Sequence, residues 1–525
     1  MLSDYLRKFV GVLWLLPGFL LWAAYPPMGE MADVVFALAP LMWLSRQGDV
    51  GVATKRWFVN GLFFWFATLF WMPAIVKNGG PWTLVVLGWA GLALYCAAYF
   101  AAYGYLSARY WRWARISYTR RLFGVLLVEP ILWCGLEWVR SNLGGGFAWN
   151  HLGVPIVAGG CGSVASLGGV YLCSAIAILI NGTFVGIAER MMRKVPRYAG
   201  IETVLVMLFI FGWYRLAKVT APNDELYESM NVGLAQRNFP CVFKGNSEVN
   251  PYHVYAELLA RANQAGKLDL LVLPESAMGE FGVIDGERAM EFASAVNECT
   301  HGASIIAGGS RFADDKQFNS AAYFSFSPTT GVGTFQLYDK VHLVPFGEFI
   351  PGDKYFPILK KLAPVGSCSA GTPHLIGDKY GVAICFEDTD ASHVRALARQ
   401  GAKALFFITN DSWFSRSVEC EQHAWQALAR AIETNLPVAR VGNNGYTGFI
   451  NPSGSANWLR SSDGKIMVDR HGILTGRMLM CSNPSLTWYV KIGDYPLIIA
   501  FSLLILGMIL VKYKHHYEKR RNMSM

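Results

Sequence analysis

The chain has 525 residues, 53% hydrophobic and 14% aromatic with only 16% charged, a balance too apolar for an ordinary soluble enzyme. Its length exceeds a single domain, and its formal net charge of +9 comes from Lys and Arg clustered beside apolar runs. Basic residues so placed report membrane topology, and no nucleic-acid groove is needed to explain them.

In chain order, apolar segments occupy residues 9–25, 31–45, 57–76, 82–107, 121–139, 165–188, 200–217 and 495–512. Most reach the ~20 residues that a bilayer-crossing helix requires, and the second is short. Arg7 and Lys8 before the first segment resemble a signal peptide, but seven further segments favour an uncleaved first span. Basic clusters then alternate along the chain: Arg7 and Lys8; Arg46, Lys55 and Arg56; Arg109 to Arg121; Arg190 to Arg197; and Lys512 to Arg521. The pattern predicts eight transmembrane helices with both termini cytoplasmic and residues 218–494 outside. In a bacterium that face is periplasmic.

From about Met230 long apolar runs give way to short β-rich stretches and amphipathic helices, the pattern of a layered α/β domain. Strands are expected in MNVGLAQ, LDLLVLPES, ASIIAGGS, AAYFSFS, YGVAICFED, ALFFITND and VARVGNNGYTGFI. Helices are expected in VYAELLARANQAG, RAMEFASAVNE, SHVRALARQGA and CEQHAWQALARAIETN, where apolar residues recur three and four apart. The domains are therefore 1–217 with seven spans, 218–490 as an outer domain, and 491–525 with a last span and a basic tail. The ten cysteines show no metal-ligand spacing, so no metal or cofactor is expected. Cys241, Cys299, Cys368, Cys385, Cys420 and Cys481 lie in the outer segment, where disulfides are permitted.

Four stretches leave buried strands with polar residues that a core would not choose. LVLPES brings Glu275, YDKVHLVPFGEF brings Lys340 and Glu348, AICFED brings Cys385 and Glu387, and FFITNDSWF brings Asn410, Asp411 and Trp413. Strand ends in layered sheets are where such residues converge. A thiol with an ordinary pKa near ~8.5 needs a base or a cation before it attacks. Glu275 suits the base, Lys340 a stabiliser of thiolate and oxyanion, and Glu348 or Glu387 a tuner of both charges. Each alone is ordinarily structural; an isolated strand cysteine is usually an inert core residue. The combination is what points to chemistry.

These blocks, in this order, resemble the Glu-Lys-Cys blocks of the nitrilase, or carbon-nitrogen hydrolase, superfamily over about residues 228–485. LEWVRSNLGGGFAWNHLG, at 136–153, is similar to a loop of the apolipoprotein N-acyltransferase family, whose layout is seven spans, a nitrilase domain and a final span. The resemblance implies an αββα sandwich with Glu275 as general base, Lys340 as electrostatic stabiliser and Cys385 as nucleophile, supported by Glu348 and Glu387. It also implies ping-pong transfer of an acyl chain, through a thioester, from a membrane glycerophospholipid to the α-amino group of a diacylated lipoprotein cysteine. An enzyme integral to the bacterial inner membrane, monomeric and without cofactor, is expected. The alternatives are a membrane-tethered amidase, which would deliver the acyl group to water, and a non-catalytic scaffold.

Phe386 stands where a hydroxylated aromatic is common in the family, and Ser415 where glycine is usual. Trp413 and Phe386 are expected at the substrate pocket. Residues 351–366 mix aromatics and lysines as a membrane-touching arm would, or as an ordinary amphipathic helix. Glu137 and Arg140 are expected to pair or to meet a headgroup, and His342 has no nameable partner.

Overall fold

The computed structural model describes the chain except residues 1–13, 115–116, 194–198, 221–226, 240–254, 256, 261–265, 279–283, 285, 328–330, 353–354, 356–366, 415 and 524–525. The chain divides into two compact units, one of residues 1–70, 89–219 and 492–525 and one of residues 71–88 and 220–491.

Among the described residues, five helices are long and apolar enough to cross a membrane: Val50–Asn78, Trp82–Ala114, Tyr118–Gly145, Val154–Glu189 and Tyr495–Tyr513. The expected count of eight is not reached, for local reasons. The segment 31–45 forms a 3₁₀ turn, Met31–Val35, and a separate helix, Ala39–Arg46. Pro40 lacks an N–H and fits only a first helical turn, so the helix begins anew there. The segment 9–25 begins outside the described residues and contributes the short helix Leu16–Ala23. The segment 200–217 forms a helix of 22 residues, Ala199–Thr220.

Charges inside the first unit are paired, as a low-dielectric surrounding demands. Arg46 Nη2 lies 3.0 Å from Glu129 Oε2, and Trp111 Nε1 donates to the other oxygen at 2.9 Å. Glu137 and Arg140 each hold the loop that follows their helix. Glu137 Oε1 accepts from Leu152 N at 2.7 Å, while Arg140 Nη1 donates to Phe147 O at 2.6 Å and Trp149 O at 2.8 Å.

The second unit contains two six-stranded sheets. The first has the order β12-β1-β2-β3-β4-β5, with β1 Tyr227–Gln236, β2 Leu270–Val272, β3 Ser304–Ala313, β4 Lys316–Ser327, β5 Gly331–Asp339 and β12 Gly472–Cys481. The second has the order β11-β10-β9-β8-β7-β6, with β6 Leu375–Ile376, β7 Tyr380–Ile384, β8 Ala404–Thr409, β9 Val438–Gly442, β10 Gly448–Ile450 and β11 Ala456–Trp458. In each sheet three central strands run parallel, β1-β2-β3 and β7-β8-β9, and the flanking pairs are antiparallel.

One apolar core lies between the sheets. It joins Val232, Leu234 and Ile306 of the first to Val382, Ile384, Phe406 and Val441 of the second. A second core fills the outer face of the first sheet, where Ala289, Phe292 and Val296 of helix Gly286–Thr300 pack on Ile305, Ala307 and Phe324. Helices Ala391–Arg399 and Glu419–Thr434 pack on the strands of the second sheet, which completes an αββα sandwich. All six residues of β8 are buried because both its faces are covered, which accounts for its continuous apolar sequence ALFFIT.

Candidate active site

The sandwich places the polar residues of the four stretches just past strand ends. Lys340 follows β5 and Cys385 follows β7 directly, and Glu275 lies three residues past β2. The turn at Glu275 packs closely on β3. A Cβ on Gly308 would stand 2.6 Å from Glu275 Cα and 2.8 Å from Pro274 O, so only glycine permits the approach. Cys385 itself has φ +53°, the left-handed region that costs an ordinary residue of order 1–3 kcal/mol. That conformation ends the strand abruptly and leaves Cys385 half-buried.

Lys340 is 1% exposed, and its Nζ lies 2.9 Å from Glu348 Oε1. Asn319, on β4, donates through Nδ2 to Glu275 Oε1 and Glu348 Oε1, both at 2.7 Å. Glu348 Oε2 accepts from Val344 N at 2.8 Å. Glu275 Oε2 is buried and has no hydrogen-bond partner among the described residues, which leaves one oxygen of this acid open to a proton.

The charges sort themselves accordingly. Burial alone would lower the proton affinity of Lys340, but Glu348, Glu275 and Cys385 outweigh it and raise its pKa. Burial would raise Glu348, yet Lys340 and its hydrogen bonds hold it below the usual carboxylate range. Glu275 is pushed up by burial and by Glu348 against the pull of Lys340. Cys385 is pushed well up by burial and by the charge of Glu275, again opposed by Lys340. One lysine thus neutralises Glu348, and the Glu275–Cys385 pair resists carrying two negative charges. Cys385 is thus biased toward the thiol and Glu275 toward higher basicity, the relation that a nucleophile and a general base would need.

Glu387 works from beneath. It accepts from Tyr338 Oη at 3.0 Å, Val341 N at 2.6 Å, His342 N at 3.0 Å and Ile384 N at 2.7 Å, and so ties the lysine segment to the cysteine turn. His342 does have a partner: its Nδ1 lies 3.1 Å from Asp390 Oδ2. The ring of Phe386 lies 5.7 Å from that of His342, and Phe386 and Trp413 are both half-buried. Asn78 Nδ2 donates to Ser412 O at 2.9 Å and Trp413 O at 2.7 Å, and Trp71 Nε1 to Gln422 at 3.1 Å. These contacts come from a segment whose sequence reads as the end of a membrane helix. Asn319, Asn78 and Trp71 were not legible as site residues, although a polar side chain on the same strand face as the core residues Ala321 and Tyr323 marks Asn319.

Asp411, Glu419 and His423 bring potential metal-ligating atoms within 4.8 Å of one another. The guanidinium of Arg440, 3.3 Å from Asp411 Oδ2, already supplies a cation there, so the group reads as an ion network. Cys368, Cys385 and Cys420 of the second unit are free thiols, while Cys241 and most of 351–366 lie outside the described residues.

Comparison with known proteins accounts for both units. Residues 17–183 match the apolipoprotein N-acyltransferase N-terminal domain and residues 246–471 the carbon-nitrogen hydrolase domain. An apolipoprotein N-acyltransferase from Geobacter metallireducens is 30% identical over 501 residues, covering 91% of each chain. Those from Ralstonia nicotianae and Gloeobacter violaceus are each 27% identical, covering 90% and 98% of this chain and 88% and 97% of their own. Among solved structures, a carbon-nitrogen hydrolase from Helicobacter pylori G27 covers 48% of this chain and 89% of its own at 18% identity and a TM-score of 0.35. The near-complete alignment to the Geobacter protein spans both units in one chain, and on that ground this chain belongs to the apolipoprotein N-acyltransferase family.

Proposed function

We propose that this enzyme transfers an acyl chain from a membrane glycerophospholipid to the α-amino group of the S-diacylglyceryl cysteine that begins a lipoprotein, the last step of lipoprotein maturation. The observation that carries the reading is the pairing of full-length kinship with a strand-end thiol beside a carboxylate of raised basicity and a buried lysine.

In this mechanism Cys385 Sγ attacks the ester carbonyl carbon while Glu275 takes the thiol proton. Lys340 stabilises the oxyanion, a contribution of ~3 to 4 kcal/mol for a well-aimed donor. The C–O bond then breaks, Glu275 returns the proton to the departing lysophospholipid oxygen, and a thioester remains. The lipoprotein amine attacks that thioester, Glu275 accepts its proton, and the amide forms as the thiol is regenerated. Glu348 and Glu387 orient the triad. Trp413 and Phe386 line the substrate pocket.

The alternation of basic clusters supports eight spans, both termini cytoplasmic, and a catalytic domain at 218–490 on the periplasmic face between membrane parts 1–217 and 491–525; the enzyme is proposed to act as a monomer. The test uses purified protein in detergent and a phospholipid with a labelled acyl chain. Hydroxylamine-labile label is expected on Cys385 and then on the amine of an added diacylated lipopeptide, and Cys385→Ala is expected to abolish both while remaining folded. Label that leaves only as free fatty acid would make the protein a hydrolase, and activity surviving in Cys385→Ala would remove the nucleophile.

A further inference from the structure

Behind the turn that carries Cys385, four charged side chains are packed away from solvent. Asp388, Asp411, His423 and Arg440 are each at most 2% exposed. They come from four elements: the 3₁₀ turn Cys385–Thr389, the turn Asp411–Phe414 that follows β8, the helix Glu419–Thr434, and β9. His423 Nε2 lies 2.9 Å from Asp388 Oδ1, and its Nδ1 lies 2.9 Å from Asp411 Oδ1. Arg440 Nη2 lies 3.3 Å from Asp411 Oδ2 and its Nε 3.7 Å from Asp388 Oδ2. Thr409 Oγ1 adds a hydrogen bond to Asp411 Oδ1 at 2.7 Å.

An ionised carboxylate only accepts, and a neutral imidazole donates through one nitrogen alone. A ring facing a carboxylate at each nitrogen is satisfied as the imidazolium. Electrostatics agrees: burial opposes the charge, but Asp388 and Asp411 outweigh it and Arg440, and His423 is pushed up to about 10. Asp411 is held down to about 2 against burial by Arg440 and His423. Glu419, whose Oε1 lies 3.5 Å from Nδ1, is pushed well up by burial and Asp411. Asp388 and Asp411 thus each face both His423 and Arg440.

We propose that His423 is a positioning residue for Cys385: by donating to Asp388 and Asp411 at once, it ties the turn that holds the thiol to the end of the neighbouring strand. A left-handed non-glycine residue persists only where its surroundings over-determine it. Glu387 fixes this turn through Ile384 N, and the Asp388–His423–Asp411 bridge fixes it from the other side. His423 touches no substrate and acts through Asp388. The inference rests on the reading of Cys385 as nucleophile.

The test compares His423→Gln with the double variant Asp388→Asn/His423→Gln in the full chain in detergent. The single change removes one cation from between two buried anions. The double change removes one charge of each sign and allows an amide-to-amide bridge with the same span. Single-turnover acylation by labelled phospholipid is expected to fall roughly 30- to 100-fold in the single variant, the scale set by small misplacements of a reacting group. The half-saturating lipid concentration stays within about twofold, and the double variant regains at least roughly tenfold of the loss. A single variant within about threefold of the parent, a loss expressed in lipid affinity, or a folded double variant no faster than the single would each overturn the clamp. If the single variant does not fold, the double decides: a rate within roughly tenfold of the parent supports the proposal, and a slower or unfolded double variant overturns it. Alkylation of Cys385 by iodoacetamide, expected to slow at least tenfold in His423→Gln, needs no lipid. It separates failure of the clamp from failure of the acyl-enzyme reading, which a parent protein never labelled on Cys385 would signal.

Discussion

Asn319→Ala isolates the tuning of the general base. The Asn319 amide donates one hydrogen to Glu275 and one to Glu348, each at 2.7 Å, and Glu275 has no other hydrogen bond among the described residues. A hydrogen bond to a charged group is worth ~1.5 to 3 kcal/mol net. It favours the carboxylate, since a hydrogen bond to the ionised form lowers a pKa. At ~1.4 kcal/mol per pH unit, its loss moves the ionisation of Glu275 to higher pH by roughly one to two units. The proposed acylation needs Glu275 ionised, so the acid limb of the pH–rate profile should move upward by that amount. The rate should approach that of the parent on the alkaline side of the shifted limb. The assay is single-turnover acylation of Cys385 across pH at saturating phospholipid. A loss of rate that is equal at every pH, or a limb that stays in place, would refute the claim that Asn319 tunes the base.

Lys340→Met leaves Glu348 and Glu275 buried without their cation. Acylation should fall at least roughly 100-fold, and chemical denaturation at pH 7 should show ~3 to 5 kcal/mol of lost stability. The stability loss should shrink toward pH 5 as the orphaned carboxylates take up protons, because the Glu348 pKa is held down in the parent by Lys340. Gly308→Ala sets a methyl against the backbone of Glu275 and Pro274, neither of which is a flexible side-chain end. It should cost ~1 to 3 kcal/mol in thermal or denaturant unfolding and slow acylation, whereas Gly401→Ala, which meets no atom within 4 Å, should leave acylation unchanged despite its φ of +96°.

The fold was legible where burial imposed a period on the sequence. Strands β7 and β8 are covered on both faces and read as unbroken apolar runs, and Glu419–Thr434 carries apolar residues three and four apart although it is buried almost all round. β12 was missed because GILTGRMLMC mixes glycine, threonine and arginine, and its place beside β1 comes from ten residues of backbone pairing. The membrane segments were less legible, because hydropathy ignores backbone chemistry. Residues 31–45 are apolar enough on average, but Pro40 divides them, and an average over a window does not register a missing N–H.

Within the site, the sequence revealed the groups proposed to react and hid the groups that hold them. Glu275 and Lys340 stand out because each follows a strand with a charge that a core would reject, and Cys385 stands out through their company. Asn319, His423 and Arg440 lie on elements whose polar residues could equally face solvent, and only tertiary packing gives them partners. Their contribution depends on pairs distant in sequence: Asn319 with Glu275, 44 residues apart, and His423 with Asp388, 35 apart. A reacting group must be of one chemical kind at one place, which leaves a mark in a single sequence. A positioning group needs only to reach its partner, and many residue types at many positions can do so. This asymmetry is why substitution of the hidden residues, with rates read against pH and against lipid concentration, tests the mechanism more sharply than removal of the three visible ones.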